Sequence, residues 1–147
     1  MKTRLFLVMA VLLAALISVP VFAGGLPKPQ SDDPKAQELI DKAWKLDRSG
    51  SNAEIYEQCI ELMEKANELD PDNPSILTDL ARYYWNYGDS LPKETDEQQD
   101  KLEDIYNKGL EYAEKSLQIK ETVGGHYWFA VNRAAAEEFN SIFSQAA

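Results

Sequence analysis

The sequence predicts an all-α protein in which helical hairpins stack into a solenoid of about two and a half repeats. From residue 36 onward, apolar residues recur three and four positions apart, the spacing that places them on one face of a helix. Short breaks rich in Pro, Gly, Asp and Asn separate these segments, and the alternation typical of a strand persists nowhere. Residues 56–71 also align with residues 106–121, which indicates an internal repeat.

The first 23 residues have the layout of a secretory signal peptide. Lys2 and Arg4 supply a positive start, the stretch from Leu5 to Ile17 is apolar, and short residues precede a predicted cleavage after Ala23. We therefore expect an exported protein, located in the periplasm or secreted. The uncharged stretch is also just long enough to span a bilayer, so an uncleaved anchor is the alternative. No cysteine directly follows it, which excludes a bacterial lipoprotein anchor.

The charge of the remaining chain narrows the classes of partner. The full sequence has 15 Lys and Arg against 25 Asp and Glu. Two of these cations and none of the acids lie in residues 1–23, so the mature chain carries 13 against 25, a net charge of −12. Nucleic acid and anionic membranes demand basic patches, so neither is expected as a partner. Cys59 is the only cysteine, so no intrachain disulfide can form and packing must supply the stability.

The first hairpin follows a Gly/Pro linker over residues 24–34. The candidates for the cap of the first helix are Ser31, Asp32 and Asp33. Pro34 suits the first turn, and helical spacing then runs over residues 36–44. After a polar break, the same spacing predicts a second helix over residues 55–69, which the Pro- and Asp-rich stretch 70–74 stops.

The later helices are predicted from the same periodicity. A third helix covers residues 77–88 and ends at a glycine. The mostly polar residues 90–104 read as an inserted loop, usually solvent-facing but also a candidate partner contact. A fourth helix covers residues 105–117, residues 122–125 interrupt it, and a fifth helix begins near His126 and continues to the end.

The segment from Cys59 to Asp89 carries the features that join one hairpin to the next. Small residues let neighbouring helices approach, a proline stops the second helix, and larger apolar residues fill the groove of the third. This pattern resembles the tetratricopeptide repeat over roughly residues 36–146. The resemblance implies a tetratricopeptide-like domain over residues 35–147 whose last unit has only its first helix. We therefore expect a C-terminally truncated piece of a longer protein, or another subunit that covers the last helix.

Two aromatic segments suggest a narrower likeness. Tyr-Tyr-Trp-Asn-Tyr-Gly at 83–88 and Gly-His-Tyr-Trp-x-Ala-x-Asn at 125–132, with the inserted stretch between them, resemble the N-terminal half of the T component associated with TRAP transporters. That resemblance implies a periplasmic protein that partners a solute-binding protein and handles organic acids or hydrophobic ligands. The lipid-attachment cysteine of many such proteins is missing here.

The candidate binding surface is the concave face that the first helix of each hairpin would line. Equivalent positions of two hairpins are arginines, Arg82 and Arg133, in a domain that is otherwise strongly acidic. Two guanidinium groups beside aromatic rings suit a carboxylate, either of a small anionic ligand or of an acidic peptide tail. The residues predicted around them are Trp85, Asn86, His126 and Phe129. The alternative is that each arginine pairs with a local acid, such as Asp79 or Glu137.

Catalysis, metals and cofactors are not expected. His126 is the only histidine and Cys59 fits a small-residue packing position, so neither a metal cluster nor a nucleophilic site can be assembled. The leading hypothesis is an interaction or ligand-binding module with a protein partner. A structural scaffold or assembly factor for a cell-envelope complex is the alternative, and homo-oligomers are compatible with both.

Overall fold

The computed structural model describes residues 26–146, with side chains described as far as Glu138. Over this range the chain consists of five helices and no strand, which confirms the all-α prediction. The predicted signal peptide and its cleavage site lie outside the described residues. The helices are α1 (Pro34–Asp47), α2 (Ala53–Leu69), α3 (Pro74–Asp89), α4 (Asp96–Ile119) and α5 (Val123–Ala146). None of them is long and apolar enough to cross a membrane.

The helices begin where side chains cap their free backbone N–H groups. Asp33 accepts hydrogen bonds from the backbone of Lys35 and Ala36, so it is the cap of α1 among the three predicted candidates. Asn73 caps α3 in the same way, and a proline occupies the first turn of both helices. These two caps fix where the first helix of each of the first two hairpins starts.

Two predicted boundaries are wrong. The stretch 90–104 is not a long loop, because α4 begins at Asp96 with Thr95 and Gln98 forming a capping box. Its acidic first turn is favourable at a helix N-terminus, and Leu102 is fully buried one turn later. At the other boundary, α5 begins at Val123 and includes the two glycines that were expected to interrupt.

The first core lies between α1, α2 and α3. Ile40, Met63 and Leu80 are fully buried there, one from each helix. Cys59 is also fully buried, and its thiol donates a long hydrogen bond to the carbonyl of Ala43 at 3.4 Å. The predicted packing role of this cysteine is therefore confirmed.

The second core lies between α3, α4 and α5. Leu102, Tyr106 and Ala136 are buried in it, and Trp85 packs against them. The packing is tight at Gly109, where an added Cβ would collide with the side chain of Asn132. The small residue that the repeat pattern predicts at this position is therefore required for α5 to approach α4.

Contacts bring the starts of α1, α3 and α5 to one end of the domain: the Asn73 side chain donates to the Gln30 carbonyl, and Gly124 lies against Leu26 and Thr78. Consecutive helices therefore run in opposite directions. The connections at this end, residues 69–74 and 119–123, bring the last turns of α2 and α4 there as well. We call this end, with residues 69–74 and 119–127, the turn end. Residues 26–33 precede α1 as a non-helical segment that crosses it, and we call that segment the strap.

Candidate functional site

Arg82 ties α1 to α3 and is not on an open surface. Its Nε donates to Oδ1 of Asp79 at 2.7 Å, and its Nη1 donates to Oδ2 of Asp47 at 3.1 Å. Trp44, on α1, donates from its indole N–H to the other oxygen of Asp79 at 2.6 Å. The guanidinium carbon lies 4.1 Å from the ring centre of Tyr83, and the Arg82 side chain is only 15% exposed.

The charges around Arg82 leave little positive potential for a ligand. Burial is the largest influence and lowers the pKa of the Arg82 guanidinium, but Asp79, Tyr83 and Asp47 together raise it above its ordinary value, so this group stays charged. Burial raises the pKa of the Asp79 carboxyl despite the arginine beside it. With Asp47 included, two carboxyl groups face one guanidinium. The arrangement is therefore that of an internal ion network.

Arg133 has the opposite environment. Its side chain is 58% exposed, its Nε donates to Glu137 at 2.8 Å, and its guanidinium carbon lies 5.9 Å from the ring centre of Phe129. Exposed pairs one helical turn apart are weak, so this one can be exchanged for an external partner. The pairs with Asp79 and Glu137 are the ones that the sequence offered as the alternative to an anion site.

The other residues predicted for the binding surface differ in their burial and in their contacts. Trp85 is half-buried, with its ring centre 5.9 Å from that of Trp128 on α5. Asn86 is half-buried in α3, and its carbonyl accepts from the backbone N–H of Ser90 at the end of that helix. His126 is exposed in the first turn of α5, and Phe129 is half-buried one turn later. Thr78, four residues before Arg82, and Ala136, three residues after Arg133, are buried, at 6% and 2% exposed.

A surface that the sequence reasoning missed lies at the turn end. Among the described residues, the exposed large apolar side chains are Leu69, Ile119, Val123 and Tyr127. Val123 is 80% exposed and Tyr127 is 58% exposed. All four lie at a helix end or in an opening turn, where the apolar periodicity of a helix no longer reports burial. The solvent exposure of these side chains and the order of the helices identify them. The spacing of apolar residues in the sequence does not.

A pocket of about 370 Å³ lies at the same end. The strap and the α2–α3 turn line it with Gln30, Asp32, Asp33, Leu69, Asp70, Asp72, Asn73 and Pro74. No group of three or more histidine, cysteine or acidic residues with metal-binding geometry occurs among the described residues. Four of the lining residues are aspartates, and Leu69 is the one exposed large apolar residue among them.

A protein-family model described as RMD1-3, Regulator of microtubule dynamics protein 1-3, matches residues 37–145. No curated protein and no solved structure shows significant similarity to the chain. The match overturns the predicted membership in the tetratricopeptide family and the likeness to the TRAP T component. The physical reason for the error is that periodic apolar stripes and small residues at close contacts belong to helical hairpins in general.

Proposed function

The chain belongs to the family of regulators of microtubule dynamics, and from that premise we propose that it is a non-catalytic interaction domain that binds a protein partner through the turn end. The class of function is the one expected from the sequence, an interaction module. The proposed binding surface is the turn end and not the concave face. We do not propose the solute-binding protein of a TRAP system as its partner, because the resemblance that suggested one is wrong.

The observation that carries the proposal is that the exposed large apolar side chains of the described residues all lie in segments at one end of the domain. Leu69, Ile119, Val123 and Tyr127 expose between 40% and 80% of their surface there. Leaving such groups in water is unfavourable by roughly 25 cal/mol per Å² of apolar surface, so a partner that covers them gains free energy. The acidic pocket that Leu69 helps to line offers polar groups of the kind found at the rim of protein interfaces.

The family description supports a partner that is a protein. It names regulators of microtubule dynamics, and a regulator of a protein filament is expected to act by contact with protein. Assembled microtubules are therefore the first defined partner to test. The predicted signal peptide points to a different compartment, which makes envelope proteins the second class to test.

A site-specific photocrosslinker tests the surface. We expect a photoreactive amino acid in place of Tyr127 to form a crosslink to one specific protein. The same amino acid in place of Arg48, in the turn at the opposite end of the domain, should form none. The captured protein is then purified and its affinity measured. Val123→Asp should weaken that binding by about tenfold or more, since it places a charge in an apolar contact.

Two controls make the experiment decisive. Lys45→Asp introduces the same kind of charge on an exposed residue of α1 away from the turn end, and should leave the affinity unchanged. Equal capture from both crosslinker positions, or an affinity that Val123→Asp does not alter, would reject the turn end as the binding surface. Co-sedimentation with microtubules, measured for the same variants, decides whether the filament is that partner.

A further inference from the structure

The strap is firmly attached only in its second half. The Asn73 amide donates to the carbonyl of Gln30 at 2.7 Å, and the Ser31 hydroxyl donates to Asp70 at 2.6 Å. The backbone N–H of Ser31 also donates to the side chain of Gln37 at 2.8 Å. Pro29 is fully buried beside these bonds. The strap from Pro29 onward is therefore part of the domain.

The first half, residues 26–28, is held by side chains. Lys28 forms an ion pair with Asp41 of α1 at 2.6 Å, and both groups are well exposed. Among the described residues, no backbone hydrogen bond links residues 26–28 to a helix. Exposed ion pairs contribute little, so the contact of Leu26 must supply most of the attachment.

Leu26 occupies a notch that exists because residue 124 is glycine. A Cβ added at Gly124 would lie 2.6 Å from Cδ2 of Leu26 and 3.3 Å from the methyl group of Thr78. The Thr78 hydroxyl is engaged elsewhere, with the Pro74 carbonyl and the Ser116 hydroxyl, both at 2.7 Å. The methyl group of Thr78 and the bare backbone of Gly124 thus form an apolar seat for one branched side chain, which we call the leucine notch.

We propose that the leucine notch is a binding site for a Leu-Pro-Lys or Leu-Pro-Arg segment of a partner protein, and that Leu26 to Lys28 occupy it as an intramolecular competitor. Because the notch accepts one branched apolar side chain, it favours leucine at the first position of the bound segment. Asp41 supplies the preference for a cation two residues later. Proline between them restricts the backbone and carries no N–H, so the segment loses little conformational freedom on binding.

The attachment of the strap explains how such a competitor is displaced. A tethered segment competes with an effective concentration in the millimolar range when the linker is short. Only the Leu26 contact, one exposed ion pair and the hydrogen bond from the Gln30 side chain to the Lys28 carbonyl must be broken. Pro29 to Asp33 keep their bonds to the domain. A partner segment that adds contacts with Val123 or Tyr127 outcompetes the strap. This inference adds a partner chemistry to the proposed function but does not depend on those exposed side chains.

The test is a peptide titration of the full mature chain, followed through the NMR amide signal of Gly124. The probe is the peptide Gly-Gly-Leu-Pro-Lys, which repeats residues 24–28. Leu26→Gly removes the internal occupant and leaves the notch empty, so we expect saturable shifts. The unmodified chain should bind the peptide about tenfold more weakly, because its own segment competes. The double variant Leu26→Gly with Gly124→Val fills the notch and should not bind.

The controls separate the notch from the rest of the turn end. A peptide with aspartate in place of leucine should not bind, and Asp41→Asn should weaken binding of the original peptide severalfold. Tyr127→Ser should leave peptide binding unchanged even if it abolishes capture of the larger partner, so the two proposals fail independently. Circular dichroism of each variant verifies that the helices are retained.

Three outcomes would overturn the inference. The Leu26→Gly chain could show no shift at millimolar peptide. The double variant could bind as well as Leu26→Gly, which would place the peptide elsewhere. Alternatively, unmodified chains could form a dimer that Leu26→Gly abolishes, in which case the occupant exchanged between molecules is a second copy and not a separate partner.

Discussion

At the scale of single residues, Arg82 and Arg133 show that equivalent positions in a repeat do not determine the environment of a side chain. Both follow the same pattern, yet one is enclosed by Asp79 and Asp47 and the other is exposed beside Glu137. Asp79 lies three residues before Arg82 and Glu137 lies four residues after Arg133, so the sequence predicts both ion pairs as the alternative to an anion site. Asp47 lies on another helix, so its contact with Arg82 depends on how α1 packs, which periodicity does not give.

We expect Arg82→Ala to lower the free energy of unfolding by about 3 kcal/mol, because it leaves the buried Asp79 without its counter-charge. Arg133→Ala, the matched control, should change it little, since its ion pair is exposed. Urea denaturation followed by circular dichroism measures both. If both variants lost the same unfolding free energy, the internal ion network around Arg82 would be contradicted.

Cys59 gives a prediction on pH. Burial raises the pKa of its thiol from 9.0 to about 11, with Asp47 adding to the effect. The unfolded chain therefore loses this proton at lower pH than the folded chain, so the contribution to stability is intact below about pH 9 and falls as the pH rises toward 11. Melting temperatures over this window should decrease less in Cys59→Ala than in the unmodified chain. The folded thiol should also resist alkylation at pH 8, and rapid alkylation there would count against burial.

At the scale of elements, the existence and type of all five helices follow from apolar spacing, whereas two boundaries do not. The polar residues 96–104 belong to α4 because a cap and one buried leucine stabilise them. The spacing of apolar residues misses such a segment, since a single buried side chain gives no period. Likewise, Gly124 and Gly125 are read as breakers in sequence, but in α5 they allow the close approach of Leu26 and Leu117.

Thr95→Ala should shorten α4 at its start. The threonine hydroxyl accepts from the backbone N–H of Gln98, while the Gln98 side chain accepts from the backbone N–H of Thr95. Loss of such a cap costs about 1 kcal/mol. We expect faster amide hydrogen exchange over residues 96–101 and unchanged exchange in α2. Thr95→Ser keeps the hydroxyl and serves as the control; if it accelerates exchange as much as alanine does, the cap is not the cause.

At the scale of the whole molecule, the helical-hairpin architecture was predictable, and the binding surface was not. The fold follows from local periodicity and from small residues at close contacts such as Gly109. The turn end is assembled from chain segments far apart in sequence, so exposed residues such as Leu69 and Val123 come to the same end of the domain only after folding. Family membership likewise rests on the specific sequence over residues 37–145 and not on the hairpin pattern.

The acidity of the whole domain predicts a response to salt. The chain from residue 24 onward has a net charge of −12, and self-repulsion of that size destabilises the compact state. Raising the ionic strength from about 0.01 M to 0.15 M shortens the Debye length from about 30 Å to 8 Å. We therefore expect the melting temperature to rise over this range in differential scanning calorimetry. A fall would mean that attractive pairs such as Lys28–Asp41 outweigh the repulsion.

The alternating direction of the helices has a consequence for how fast a partner associates. Within residues 26–146, three helices begin and two end at the turn end, so one N-terminal pole of roughly half a positive charge is left uncancelled there. Asp32, Asp33, Asp70 and Asp72 lie beside it and have the opposite sign. This end of the molecule is thus poorly suited to long-range attraction of an acidic partner. For a partner surface without net positive charge we expect an encounter limited by apolar docking, with a rate constant of about 10⁵ to 10⁶ M⁻¹s⁻¹.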